Sequence, residues 1–255
     1  MKNDSLEILH KTGLEKSRMD AFQNRVEADL NNAEVEIIIL KYKAPEIEKK
    51  CLGLIIDHTD VPYKLTFYDN RQNHPNMAKI WNRLIKESTC DVVLVMDTDA
   101  FVTSNWIRPL VDCARRDECG IAYPVSGNSM TSPAHHKEFG SRLHDVSEHC
   151  TGYCFAMRKK VWEELGGFDE DFLVFGQDSD MCERVIHHPD YKLFIVPESL
   201  VYHGEQDREG IYRSSYSTRK ASEEGEYDFD METKFAPYLI SHRSQQKYYE
   251  RLWQK

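Results

Sequence analysis

The sequence DVVLVMDTD occupies residues 91–99. The run from Asp91 to Met96 suits a strand covered on both faces, and it delivers Asp97-Thr98-Asp99 at its carboxyl end. Ligands of open α/β sheets bind at that end of the strands. Two carboxylates two residues apart there offer hard oxygen ligands for Mg2+ or Mn2+, and a diphosphate could fill the remaining coordination positions. An Asp-x-Asp also arises by chance in an acidic chain. The buried strand before it is what moves the reading toward function.

Upstream, Val35 to Leu40 (VEIIIL) is a second continuous, β-branched apolar run, followed by a helical stretch to about Thr59 and the strand-like YKLTFYD of residues 63–69. Met77 to Lys86 has a helical pattern. The unit is βαβ, so the fold class is α/β, with a mostly parallel central sheet flanked by helices. Downstream, Ser104 or Asn105 can cap a helix to about Arg116, and Gly120 to Val125 is strand-like. A polar loop, expected to be mobile, fills 126–149. Thr151 to Arg158 is extended, Lys160 to Leu165 helical, Gly166-Gly167 a break and Asp178 to His187 helical again. Lys192 to Val196 and Val201 to His203 read as two separate short strands.

Both ends differ from this core. Residues 1–34 read as a helical extension, with Met19, Phe22, Val26 and Leu30 on one face. Residues 206–255 read as an acidic, Ser- and Arg-rich arm ending in SHRSQQKYYERLWQK, where Arg243, Lys247, Arg251 and Lys255 recur every fourth position. Such a basic amphipathic helix docks on its own domain or makes peripheral contact with an anionic membrane surface.

Composition narrows the class. Hydrophobic residues at 40% and charged residues at 30% are those of a globular chain, and a net charge of -10 disfavours nucleic acid as the main partner. The seven cysteines are odd in number and form no CxxC pair, which suits a reducing compartment. No apolar run reaches the length of a signal core or a membrane span, so a cytoplasmic location is expected, at most peripheral to a membrane. His144, His149, Cys150 and Cys154 resemble a zinc set only in composition. An extended chain puts Cys150 and Cys154 on one face and His149 on the other.

The most specific stretch is TGYCFAMRKKVWEELGGFDEDFLVFGQDSDMCERV, residues 151–185. Gly152, Arg158, Gly166-Gly167-Phe168-Asp169-Glu170, Asp178-Ser179-Asp180 and Cys182-Glu183-Arg184 fall in the order found in the family 2 glycosyltransferases of GT-A fold, which the chain resembles over about residues 35–205. The resemblance implies a donor half, 35–100, and an acceptor half, 101–205. Asp69 matches the family's uracil-contacting aspartate, Asp97 and Asp99 its metal pair, and His203 its later metal-associated histidine. It further implies Mn2+ or Mg2+ as cofactor, and nucleotide-sugar contacts from Tyr42, Asp69, Asn82, Asp97, Thr98, Asp99 and Gly167. Asp178 is the implied general base, with Phe168, Asp169 and Asp180 on the acceptor side. The reaction so implied moves a sugar, with inversion, from a nucleotide sugar, UDP-linked by resemblance, to a hydroxyl on a glycan, lipid-linked glycan, protein, small molecule or modified DNA base.

Several positions depart from the family pattern. Leu40-Lys41-Tyr42-Lys43 replaces Pro-Thr-Tyr-Asn, His74 and Asn76 replace an Asn and a Gly, and Gln177 replaces a Glu. Asp178 and Asp180 also suit a helix start, and Gly166 and Gly167 a helix end. Three other chemistries compete. DTDAFV resembles the nucleophile motif of haloacid dehalogenase-like phosphatases, but that motif opens its domain and here two strands come earlier. A sugar-1-phosphate nucleotidylyltransferase should carry a Gly-rich, Arg-containing loop where this chain has LKYKAPE. A binding protein that has lost catalysis would have no need of Asp97, Asp99, Asp178 and His203 together.

Overall fold

The computed structural model describes residues 32–41, 45–69, 76–125, 144–146, 152–172, 176–206 and 212–213. The chain alternates strand and helix at first: β1 (Val35–Lys41), α1 (Pro45–His58), β2 (Tyr63–Asp69), α2 (Met77–Glu87) and β3 (Val92–Met96). Then come β4 (Ala100–Val102), α3 (Ile107–Ala114), β5 (Cys119–Val125), β6 (His144–Val146), β7 (Cys154–Arg158), α4 (Lys159–Glu164), α5 (Gln177–Ile186) and β8 (Lys192–His203). A two-stranded ribbon of β9 (Glu205–Gln206) and β10 (Tyr212–Arg213) follows.

The main sheet runs in the order β2-β1-β3-β7-β5-β8-β4, with β6 added against β8. Parallel pairing joins β2, β1 and β3, and again β5 and β8. Strand β7 lies antiparallel between these groups, and β4 and β6 pair antiparallel with β8. The architecture is mixed α/β with a core of mostly parallel strands.

Alternation along the strands explains the layering. On β1, Val35, Ile37 and Ile39 face one cluster with Cys51, Leu52 and Ile55 of α1 and Ile107 and Leu110 of α3. Ile38 and Leu40 face the other, with Trp81 and Leu84 of α2, Val161 of α4 and Met181 of α5. Strand β3 divides its residues the same way. Each fully buried side chain of this kind contributes roughly 1.5–3 kcal/mol, which is why both apolar runs read as continuous rather than alternating.

Four local expectations need correction. Residues 144–146, assigned above to a mobile loop, form β6 in register with Leu193–Ile195. The two short strands expected at 192–196 and 201–203 are one strand that changes partner from β5 to β4. Strand β4 was not foreseen, because three apolar residues are too few to show a period. Helix α3 begins at Ile107 after Trp106, with no side-chain cap, while Asn105 takes φ 60 in the preceding turn. The N-terminal helix, Tyr42, His74, His149, Cys150 and the C-terminal basic helix lie outside the described residues. The described cysteines, 51, 90, 113, 119, 154 and 182, are buried free thiols. Among the described residues no helix is long and apolar enough to cross a membrane.

Candidate active site

The ends of β3 and β8 meet through β4. The Asp97 N–H donates to the Tyr153 carbonyl at 2.8 Å, extending the β3–β7 ladder by one rung, and the Ala100 N–H donates to the Asp97 carbonyl at 3.2 Å. The chain therefore turns over Asp97–Asp99 and returns as β4, where Ala100 is in register with His203. Gly204, at φ 86, donates its N–H to the Asp99 carbonyl at 2.8 Å. These backbone bonds bring Asp97, Asp99 and His203 together, with one ligating atom of each within 4.8 Å of the others. His203 Nε2 is 3.5 Å from Asp99 Oδ1. Asp99 is fully buried and Thr98 nearly so, whereas Asp97 and His203 are half-buried.

Such crowding sets the protonation of the group. Burial, the charge of Asp99 and a smaller push from Asp178 raise the Asp97 carboxyl to about 7, against a lowering by His203. Burial works to lower the His203 pKa, but the Asp99 hydrogen bond and the charges of Asp99 and Asp97 outweigh it, and the net shift is upward. The His203 ring stacks on Tyr153 at 4.6 Å and 10°. Beneath the turn, the Cys51 thiol of α1 lies 3.4 Å from the Ala100 carbonyl, and burial holds it protonated.

Asp178 reaches this region from the first turn of α5. Its Oδ2 accepts the Gly152 N–H at 2.8 Å and its Oδ1 the Ser179 N–H at 2.9 Å. The carboxylate packs directly on Gly152, where a Cβ would lie 2.9 Å from Oδ2. A helix start also favours the negative charge, so the capping and the functional readings of Asp178 coexist.

Other expected site residues take different places. Asp69 is exposed at the end of β2, opposite Lys41, whose ammonium pairs with buried Glu48 at 3.1 Å. Asn82 is a clasp: its Oδ1 accepts from Phe168 N (2.8 Å) and Trp162 Nε1 (3.3 Å), and its Nδ2 donates to Phe168 O (2.8 Å) and Glu170 Oε1 (3.1 Å). Phe168, expected on the acceptor side, is 2% exposed and packs on Trp81 and Phe155. Asp180 is bound by Arg184 at 2.7 Å, and Asp169 accepts the Asp171 N–H at 2.9 Å. Gly167, at φ 75, sits close against Asn82 Oδ1 and the Trp162 ring, which a Cβ would meet at 3.0 and 3.2 Å. Tyr153 escaped the sequence reading. The signal was its place one residue before a buried strand and next to Gly152.

Known proteins resemble this arrangement. Residues 50–166 match the model of Glycosyl transferase family 2. A curated relative, the O-antigen biosynthesis protein RfbC of Myxococcus xanthus, is 26% identical over 143 residues, which cover 44% of this chain and 11% of that protein's length. Among solved structures, GalNAc-T7 with UDP, GalNAc and Mn2+ superposes with a TM-score of 0.54 at 14% identity, over 72% of this chain and 44% of that one. Over residues 50–166 the chain is thus similar in sequence to glycosyl transferase family 2, and its architecture is that of the GT-A fold.

Proposed function

We propose that this chain transfers a sugar, with inversion, from a nucleoside-diphosphate sugar, UDP-linked, to a hydroxyl acceptor. The observation that carries the reading is the meeting of Asp97, Asp99 and His203 within 4.8 Å at the strand ends, beside Asp178. Two carboxylates and an imidazole suit Mn2+ or Mg2+, and a divalent cation would offset both the burial and the charge of Asp99 that raise Asp97. When bound, that cation supplies charge stabilisation to the leaving diphosphate. Asp97 and Asp99 would hold it from the turn between β3 and β4, and His203 would complete the set through a neutral ring nitrogen. Asp97 also contacts the ribose.

Asp178 takes the proton from the acceptor hydroxyl as that oxygen attacks the anomeric carbon. Its two backbone N–H donors fix the carboxylate's direction. Asp69 contacts the base, Tyr42 packs against it, and Thr98 and Gly167 line the donor. The acceptor is a glycan, lipid-linked glycan, protein, small molecule or modified DNA base, reached in the cytoplasm or at a membrane surface.

A screen of nucleotide sugars for donor hydrolysis, with Mn2+ or Mg2+ supplied in turn, tests the proposal. Metal-dependent release of the nucleoside diphosphate from one donor class is expected, lost in Asp99→Ala and reduced about 10²- to 10⁴-fold in Asp178→Asn. Turnover that needs no metal, or wild-type rates in both variants, would end it.

A further inference from the structure

Helix α3 ends and β5 begins on a pair of thiols. Cys113 lies in the last turn of α3 and Cys119 is the first residue of β5, and their sulfurs are 3.9 Å apart. Both are buried, at 2% and 0% exposure. The turn between them sets the approach. Arg116 donates its N–H to the Cys113 carbonyl at 3.0 Å and accepts the Cys119 N–H at 3.1 Å, so one residue ties the two cysteine backbones together. Lys192 of β8 donates its N–H to the Glu118 carbonyl at 2.9 Å and seats the strand. A disulfide holds its sulfurs about 2.05 Å apart, so the pair must close by about 1.9 Å. That is less than the arc a sulfur sweeps in one rotamer change.

The surroundings favour reaction once the turn opens. Arg115, Arg116 and Asp117 are exposed, and the last turn of a helix is where local opening costs least. The guanidinium of Arg116 lies near enough to feel charge on both sulfurs, and that of Arg158 charge on Cys119. Arg158 also donates to the Asp117 carbonyl at 2.8 Å, which keeps it beside the turn. Such cations favour a thiolate, the attacking species in thiol oxidation. In the closed turn the hydrogen bond with Cys113 and burial outweigh that pull and hold the Cys119 thiol above its usual range. The pair is therefore protected while covered and becomes nucleophilic as the helix end frays.

We propose that Cys113 and Cys119 are a redox modification site, which hydrogen peroxide converts to an intramolecular disulfide that staples the end of α3 to the start of β5. One thiolate attacks a peroxide oxygen, breaking the O–O bond and leaving a sulfenic acid and one water. The other thiol attacks that sulfur and expels the second water. In total two S–H bonds and the O–O bond break and one S–S bond forms. Two electrons and two protons pass from the thiols to the peroxide. In the reducing compartment expected from the sequence the pair rests as a dithiol, and oxidative load closes it. Strand β5 runs parallel to β8, and through antiparallel β7 parallel to β3, so its first residue sits at the sheet edge opposite Asp97 and His203. The staple thus acts on stability, and it is independent of the transferase reading.

Peptide mapping of the full chain tests the site. Reduced protein, freed of reductant, is treated with hydrogen peroxide under native conditions, its remaining thiols are alkylated, and trypsin is added. Trypsin cuts after Arg115 and Arg116, between the two cysteines, so the disulfide joins two peptides whose fragmentation names the linked residues. The Cys113–Cys119 link is expected as the first oxidation product, reversible by dithiothreitol, with a rise in melting temperature of roughly 5 °C. Cys113→Ala and Cys119→Ala should each abolish it, with circular dichroism as the check on folding. If either variant fails to fold, the wild-type peptide map decides. Oxidation of other cysteines before this pair, or a link that forms only in urea, overturns the proposal. So does a linked chain whose melting temperature is unchanged or lower. Failure of the donor screen leaves this result standing.

Discussion

Replacing Gly152 with alanine would place a methyl carbon 2.9 Å from Oδ2 of Asp178 and 3.1 and 3.2 Å from its Cβ and Cγ. Ordinary contact needs a separation of about 3.4 Å or more, so something must move by roughly half an ångström. The start of β7 is held by the β3 ladder, which makes the Asp178 carboxylate the softer party. Its displacement breaks or stretches the 2.8 Å bond from the Gly152 N–H. A charge-assisted bond of this kind is worth roughly 1.5–3 kcal/mol, and exposure to water returns part of that. For catalysis the loss of aim matters more: misplacing a reacting group by this order costs about ten- to a hundredfold. The measurement is the initial rate of nucleoside diphosphate release with saturating Mn2+, beside the calorimetric affinity for UDP and Mn2+. Turnover is expected to fall about tenfold or more while UDP affinity stays within about twofold. Wild-type turnover in Gly152→Ala, or an equal loss of UDP affinity and rate, would refute the idea that Gly152 seats Asp178 as the base.

Asn82→Ala removes the bonds to Phe168, Trp162 and Glu170 and weakens the hold on a nearly buried turn, so urea denaturation should show a loss of about 2–4 kcal/mol with UDP affinity little changed; a donor contact would instead show in UDP affinity. Tyr153→Leu takes away the ring on which His203 stacks, and Mn2+ affinity measured by titration should fall about tenfold with Asp97 and Asp99 intact; unchanged affinity would remove His203 from the metal set. The metal-free chain should lose stability as pH rises toward and through 7. Asp97, raised to about 7 when folded, takes up a proton on folding between about 4 and 7, and His203, also raised, gives up its stabilising charge as pH rises through its folded pKa. Because Mn2+ must displace the protons of both Asp97 and His203, its affinity should climb as pH rises through about 7 and level only once both groups are deprotonated, and melting curves with and without Mn2+ should diverge as pH rises.

The sheet was legible because its buried strands are continuous apolar runs, and a strand covered on both faces has no alternation to misread. What stayed hidden was whatever depends on partner rather than pattern. Val201–His203 looks like a separate strand because Pro197 and Glu198 interrupt the apolar run, yet the backbone continues through them while β5 gives way to β4. Residues 144–146 carry no strand period, and they become β6 only because β8 offers an open edge. For the candidate site, the pairing of Asp97 and Asp99 at a strand end is read from the sequence, and the structure adds that His203 lies within 4.8 Å of both. Tyr153 was not legible, since an aromatic residue beside a strand is ordinary until the ring of His203 is found parallel to it.

The long match at residues 151–185 takes a different meaning from the contacts. Asp178 and Asp180 are two residues apart in one acidic cluster, but the turn of the helix separates their roles. Asp178 faces Gly152, whereas Asp180 faces Arg184 one turn on, and the guanidinium of Arg184 also donates to the carbonyls of Leu165 and Gly167. The glycine turn is therefore gripped from α5 by Arg184 and from α2 by Asn82. Neither glycine tolerates a side chain without strain, since both have positive φ, and Gly167 has neighbours at contact as well. Most of the matched residues thus act as a bracket that fixes the first turn of α5. Of the two, Asp178 lies on the side of Asp97, and its charge adds a small push to the rise in the Asp97 pKa that burial and Asp99 dominate.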